Sequence, residues 1–293
     1  MLTINNLSHV YDNGTRALHD VSLSIPAGMF GLLGPNGAGK STLMRIVATL
    51  QSPTAGSVTF DGIDVLDAPE ALRRSLGYLP QDFGVYPRVS TYDMLDHMAV
   101  LKGLASRAER KDTVEALLHQ VNLWDVRKKA LARLSGGMRQ RFGIAQALIG
   151  SPRLIVVDEP TAGLDPEERN RFLNLLAEIG EKVVVILSTH IVDDVADLCS
   201  RLAVLADGRV LPEGAPQHFV AELRGRVWEK TIERGALDQC TADHRVISTR
   251  MSGGQTIIHV ASDTPPGEGF MPAEGSLEHV YFSALDASRR AAG

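Results

Sequence analysis

One stretch, Gly34-Pro35-Asn36-Gly37-Ala38-Gly39-Lys40-Ser41-Thr42, restricts what this chain can fold into more than any other. It matches G-x-x-x-x-G-K-[ST], a loop whose glycines let consecutive backbone N–H groups point inward around a polyphosphate with no side chain in the way. Residues 29–33 before it are almost all apolar, as in a strand buried on both faces, and residues 41–50 after it have helical character. Strand, glycine loop and helix in that order predict a nucleotide-binding unit. The helix adds unpaired N–H groups and its positive dipole end, Lys40 reaches the outer phosphates, and the Ser41 hydroxyl helps hold Mg²⁺.

The rest of the chain supplies a sheet for that strand. Residues 154–157 and 183–187 are apolar, β-branched runs separated by an amphipathic stretch over 166–179. Strand–helix–strand at that spacing predicts parallel pairing with right-handed crossovers. Further strands are predicted over 2–7, 18–25, 57–61 and 76–79, and a hairpin over 202–211 turning at Asp207-Gly208. From about residue 82 to 150 the texture changes to helices over 89–101, 107–121 and 136–149. Past Pro216 short strands at 227–232, 245–249 and 256–260 precede a Gly/Pro-rich stretch and a last helix over 277–290. The predicted fold is α/β: a P-loop core with an antiparallel β edge and a helical insert over about 82–150, together spanning 1–215, then a small α+β domain over 216–293.

Composition narrows the partners. With 293 residues, 44% hydrophobic, 22% charged and a net charge of −5, the chain has an ordinary globular balance and no electrostatic basis for non-specific nucleic-acid binding. Its two cysteines, Cys199 and Cys240, lie far apart and form no CxxC; they read as one disulfide or two buried thiols, and buried thiols are the expectation. The start, Met1 to Asn6, lacks the charged and apolar regions of a secretory signal, and no apolar run approaches the roughly 18–20 residues of a membrane span. The expectation is a chain that does not cross a bilayer by itself.

Two more motifs carry chemistry. The apolar run at 154–157 ends in Asp158-Glu159-Pro160, which puts two carboxylates at the carboxyl edge of a parallel sheet, where ligands bind. Asp158 suits the shell of a divalent cation, and Glu159 suits a general base toward water. Leu134-Ser135-Gly136-Gly137 opens a helix, and a serine hydroxyl with bare glycine amides at a helix N-terminus is also an anion site.

Taken in order, the P-loop, helical insert, Leu-Ser-Gly-Gly, Asp-Glu-Pro and a late lone histidine resemble the ATPase subunit of an ABC transporter over about residues 2–215. The resemblance implies ATP and Mg²⁺ as ligands and assigns residues that sequence physics alone does not. Tyr11 resembles the aromatic that stacks on adenine. Gln81 resembles the glutamine that reaches Mg²⁺ and the attacking water. His190 resembles the histidine that hydrogen-bonds the γ-phosphate. Asp165, in Ala162-Gly163-Leu164-Asp165, resembles the acid that faces a second subunit, although Asp165-Pro166 also reads as a helix cap followed by a first-turn proline.

The family pattern further implies a dimer in which Ser135, Gly136 and Gly137 of one copy close on the P-loop of the other. It implies a separate transmembrane permease, docked near Gln81, Asp82, Phe83, Gly84, Val85 and Tyr86, and a location on the cytoplasmic face of the plasma (inner) membrane. The chain departs from the family pattern where Met138 follows Leu-Ser-Gly-Gly in place of glutamine. Residues 277–282 resemble a stretch near the end of drug-, polysaccharide- and antibiotic-type exporter ATPases, with His279 in place of an acid. The rival reading is a soluble ABC ATPase serving as an ATP-switched interaction module. The segment between Ser41 and Ser135 is too short for the long coiled coil or zinc modules of DNA-repair members.

Overall fold

The computed structural model describes residues 1–84 and 86–292. Two long strands open the chain, β1 (Leu2–Val10) and β2 (Arg16–Ile25), and β3 (Gly28–Leu33) delivers the glycine loop to α1 (Lys40–Val47). Next come β4 (Ala55–Phe60), β5 (Ile63–Asp64), α2 (Pro69–Arg73) and β6 (Leu76–Leu79). The helical insert holds α3 (Thr91–Leu101), α4 (Arg107–Gln120) and α5 (Gly136–Leu148). The chain returns through β7 (Leu154–Asp158), α6 (Pro166–Gly180), β8 (Val184–Thr189), α7 (Val192–Leu198), β9 (Arg201–Ala206) and β10 (Arg209–Gly214). The last part comprises α8 (Pro216–Glu222), β11 (Val227–Ile232), α9 (Leu237–Asp243), β12 (Val246–Ser252), β13 (Gln255–Ala261), β14 (Met271–Ala273) and α10 (Leu277–Ala292).

The central sheet runs β10-β9-β3-β8-β7-β6, and only β10 is antiparallel to its neighbour. Its apolar strands are buried on both faces, which is why they read as unbroken hydrophobic runs. Phe30, Leu32, Leu154, Val156, Val184 and Ile186 face one core, while Leu33, Ile155, Val157, Val185 and Leu187 face the other. The amino-terminal strands form a sheet of their own, β2-β1-β4-β5, rather than an extension of the central one. Helix α1 lies between these two sheets, its Leu43, Met44, Ile46 and Val47 buried against both. The opposite face of the central sheet is covered by α5, α6 and α7. Val195 of α7 sits so close to β3 that a Cβ on Gly31 would stand 2.5 Å from its methyl.

The hairpin between β9 and β10 turns on Asp207 and Gly208, with φ of 47° and 71°, the type I′ geometry that Asp-Gly favours. Helix α1 ends earlier than its sequence suggests, because Thr49 adopts a left-handed φ of 62° and Leu50 is exposed. The short α7, α2 and β5 were not anticipated. Both cysteines are free, and burial pushes the Cys199 thiol up to about 12. No helix among the described residues is long and apolar enough to cross a membrane.

Beyond Pro216, the sheet β12-β13-β11-β14 holds a small core of Ile232, Ile258 and Val260. Helix α10 packs between that sheet and the main body. Its Leu277, Val280, Tyr281 and Leu285 are buried in the same cluster as α5, α6 and α7, with Phe219, Val220 and Leu223 around α8 packed alongside.

Candidate functional site

The glycine loop is held in shape from outside as well as within. Gly39 precedes α1 with a φ of 102°, and a Cβ there would stand 2.4 Å from the Ala17 carbonyl oxygen. At Gly34 a Cβ would be 2.3 Å from the Leu205 carbonyl oxygen. The β9–β10 turn braces the loop: Gly208 N–H donates to the Ala38 carbonyl at 3.1 Å, and its own carbonyl accepts from His19 N–H at 2.8 Å. Lys40, the first residue of α1, is 4% exposed. Its Nζ donates to the Gly34 and Pro35 carbonyls at 2.8 and 3.2 Å and lies 3.2 Å from Glu159 Oε1.

The two acids stand at the carboxyl edge of β7, as their position after an apolar run implies. Asp158 ends the strand, buried, and accepts a hydrogen bond from the Ser188 hydroxyl on the neighbouring β8. Glu159 has a left-handed φ of 46°, and its N–H donates to the Ser188 carbonyl at 3.0 Å. A non-glycine residue in that region carries strain, which persists where the surroundings fix it and is concentrated at functional sites. Its carboxylate bridges two groups: Lys40 on one oxygen and, at 3.2 Å, His190 Nδ1 on the other. His190 follows β8 directly, and its ring is nearly half exposed.

Lys40 and Glu159 border a cleft of about 430 Å³. Of the residues picked out by sequence, Tyr11, Asn36, Gly37, Gly39, Lys40 and Ser41 line it, joined by Thr42, Gln81 and Glu159. Gly34, Pro35 and Ala38 form the loop's base through the carbonyls just described. Tyr11 Oη shares a hydrogen bond with Thr42 Oγ1 at 2.8 Å, and its ring meets His9 edge-on at 4.7 Å between centroids. Thr15, Arg16 and Ala17 also line the cleft and went unnoticed in the sequence. Thr15 enters from the β1–β2 connection and Arg16 and Ala17 from the start of β2, and no motif marks them.

Asp158 and His190 do not line this cleft themselves but adjoin it through β7 and the Glu159 carboxylate, whereas Ser135, Gly136, Gly137 and Asp165 lie on the entries to α5 and α6. Ser135 caps α5, its Oγ accepting from Met138 N–H at 3.2 Å, so methionine in place of glutamine leaves the cap intact. Around Gly136 a Cβ would meet nothing within 4 Å, whereas at Gly137 it would stand 2.6 Å from Glu168 Oε2. The first glycine therefore leaves an open surface, and the second makes room for α6. Asp165 caps α6, accepting from Glu168 N–H at 2.9 Å. The helix N-terminus at Ser135 is not part of the cleft lined by the glycine loop.

A family model described as "ABC transporter" matches residues 18–162. The daunorubicin/doxorubicin resistance ATP-binding protein DrrA of Streptomyces peucetius is 37% identical over 89% of this chain and 77% of its own length. The chain belongs to the ABC transporter family. The methionine import ATP-binding protein MetN 1 of Bacillus thuringiensis subsp. konkukian is 38% identical over 73% of this chain, and the match spans 66% of that relative's length. Among solved structures, the dimeric ATP-binding cassette MJ0796, in a post-hydrolysis state bound to ADP and Pi, superposes with a TM-score of 0.67. It is 29% identical, and the match covers 73% of this chain and 98% of that one. The fold is accordingly that of an ABC ATPase, a mixed α/β P-loop architecture.

Proposed function

We propose that this chain is the ATP-hydrolysing subunit of a transporter whose membrane-spanning part is a separate permease, and that the transport is export. The observation that carries the catalytic part is the Glu159 carboxylate, held between Lys40 and His190 at the edge of the cleft. In this reading Lys40 exchanges the Gly34 and Pro35 carbonyls for the outer phosphates of ATP, and residues 34–42 wrap the phosphates with backbone N–H groups. Freed of Lys40, Glu159 accepts the proton of the attacking water, and His190 holds the terminal phosphate. Tyr11 stacks on adenine.

The donor set fits Mg²⁺. Ser41, Gln81 and Asp158 offer hard oxygen ligands, and no group of three or more His, Cys, Asp or Glu among the described residues forms a metal cage. An ion held by these residues would take its remaining ligands from phosphate and water, the usual arrangement for Mg²⁺. When bound, Mg²⁺ neutralises charge between the phosphates.

Ser135, Gly136, Gly137 and Asp165 face a second copy of the chain in this proposal. The support is that they lie off their own cleft with Gly136 uncovered, and that the similar MJ0796 cassette is dimeric. The permease is proposed to dock near residues 81–86, at the start of the helical insert. Tyr86 is 61% exposed, while Val85 lies outside the described residues. Docking to the permease puts the chain on the cytoplasmic face of the inner membrane. Export is favoured because the match to the drug-resistance relative extends over 89% of the chain, past the shared α/β body, against 73% for the methionine-import relative. Residues 1–215 form the hydrolytic unit and 216–293 an accessory one.

Replacing Glu159 by glutamine tests the reading. The variant should bind ATP, release no phosphate, and form an ATP-dependent dimer in size-exclusion chromatography with light scattering. A Glu159→Gln protein that stays monomeric with ATP and Mg²⁺ would overturn the paired-subunit mechanism.

A further inference from the structure

Three loops carry the proposed site residues: the turn after β7 with Glu159, the entry to α6 with Asp165, and the exit of β8 with His190. One carboxylate ties all three together. Asp194, in the first turn of α7, has a completely buried side chain. Its Oδ2 accepts from the Thr161 hydroxyl at 2.7 Å, and its Oδ1 from Arg169 Nε at 2.7 Å. Thr161, itself buried, lies two positions past Glu159; Arg169 lies four past Asp165 on α6; Asp194 lies four past His190.

The anchor does not float. The next residue, Val195, packs onto Gly31 of β3, the strand that feeds the glycine loop. Asp194 is therefore fixed to the same scaffold as Lys40.

Such a group is a poor choice for mere adhesion between α6 and α7. Desolvating a carboxylate is costly, and an apolar pair of similar volume holds two helices together at least as well. A buried charge with two directed partners does something an apolar pair cannot: it admits one arrangement of donors and penalises the others. We infer that Asp194 is a positioning residue for ATP hydrolysis, holding the Glu159 turn, the Asp165 loop and His190 in one relative placement through Thr161 and Arg169. It touches neither nucleotide nor water itself. The inference rests on the site reading above and adds the residue that aligns its parts.

Steady-state ATP turnover of the full-length protein tests it, with nucleotide affinity and melting temperature measured on the same samples. Thr161→Val keeps the volume and removes the hydroxyl. It should lower kcat about tenfold or more, as misplacement of reacting groups does, with KM for ATP within about twofold of the parent. Thr161→Ser, which restores the hydroxyl, should recover most of the lost kcat. Asp194→Asn should show the same loss confined to kcat. A Thr161→Val protein with the parent's melting temperature and the parent's kcat would overturn the inference even if Asp194→Asn failed to fold. So would a Thr161→Ser variant as slow as Thr161→Val. Lys40→Ala run beside them separates the two levels. If it abolishes turnover while Thr161→Val is unaffected, only the positioning role falls; if Lys40→Ala turns over ATP like the parent, the site reading falls and this inference with it.

Discussion

Gly34 and Gly37 both lie in the glycine loop, but each is glycine for a different physical reason, and substitution separates them. At Gly34 the obstacle is space: a methyl group would press on the Leu205 backbone at 2.3 Å and on the Ala38 side chain at 3.2 Å. Backbone cannot rotate away, so Gly34→Ala should cost about 2–3 kcal/mol, in the range of overpacked sites. At Gly37 nothing lies within 4 Å, and the obstacle is a φ of 82°. Gly37→Ala should cost about 1 kcal/mol for the left-handed backbone. Urea unfolding of the two variants decides; a Gly37→Ala protein less stable than Gly34→Ala would contradict this account. The loop was legible because its glycine, lysine and serine spacing lies in one contiguous stretch of sequence. Asp194 was not, since its partners Thr161 and Arg169 come from other elements and only the folded chain brings them to it.

Helix entries carry the next level of meaning. Asp165 is the N-cap of α6 and also the residue proposed to face a second subunit, and the two roles respond differently to substitution. Asparagine caps about as well as aspartate, whereas alanine does not. Asp165→Asn should therefore keep the parent's stability, and Asp165→Ala should lose about 1 kcal/mol in denaturant unfolding. ATP-dependent dimerisation weakened equally in both variants would assign the charge to the interface; weakened only in Asp165→Ala, it would assign the residue to the cap alone.

At α10 the sequence departs from the family pattern, and the structure supplies a reason. Ser276 and His279 form a reciprocal cap: His279 N–H donates to Ser276 Oγ at 3.4 Å, and Ser276 N–H donates back to His279 Nδ1 at 3.2 Å. The imidazole can accept only when Nδ1 is unprotonated. Burial, aided by His259 at 4.6 Å between ring centroids, holds its pKa down to about 4. The unfolded chain takes up this proton near pH 6.5 and the folded chain near 4, so the contribution to stability is complete above 6.5 and is lost as pH falls toward 4. Melting temperatures across that window should fall less steeply for His279→Gln than for the parent; parallel slopes would remove His279 from the explanation.

These caps also explain what could be read in advance. The helices α3, α4, α5 and α6 each open on a Ser or Asp side-chain cap and were legible. Helix α7 has seven residues and no side-chain cap at Ile191, so it offered no entry signal.

For the whole molecule, hydrophobic patterning gave the parallel strands, because a strand buried on both faces must be apolar throughout. It did not give their order, with β3 between β9 and β8, since every such strand looks alike from its own sequence. The same blindness applies to α10. Its apolar stripe was visible, but the surface it covers was not, and the structure places that stripe in the main core against α7 and α8 rather than in the small core of Ile232, Ile258 and Val260. Leu277, Val280, Tyr281 and Leu285 each contribute about 1.5–3 kcal/mol when buried, so the helix fastens residues 216–293 to the α/β body by several kcal/mol. Two consequences follow from that magnitude. The full chain should melt in a single calorimetric transition, with no early loss of the carboxyl-terminal sheet. A chain ending at residue 275 should melt at least about 10 °C lower, because removing α10 uncovers the outer face of α7. If instead the full chain melts in two steps, and the later step is unmoved by removing α10, then the helix is a passive cover and the accessory sheet is thermodynamically independent of the ATP-binding body.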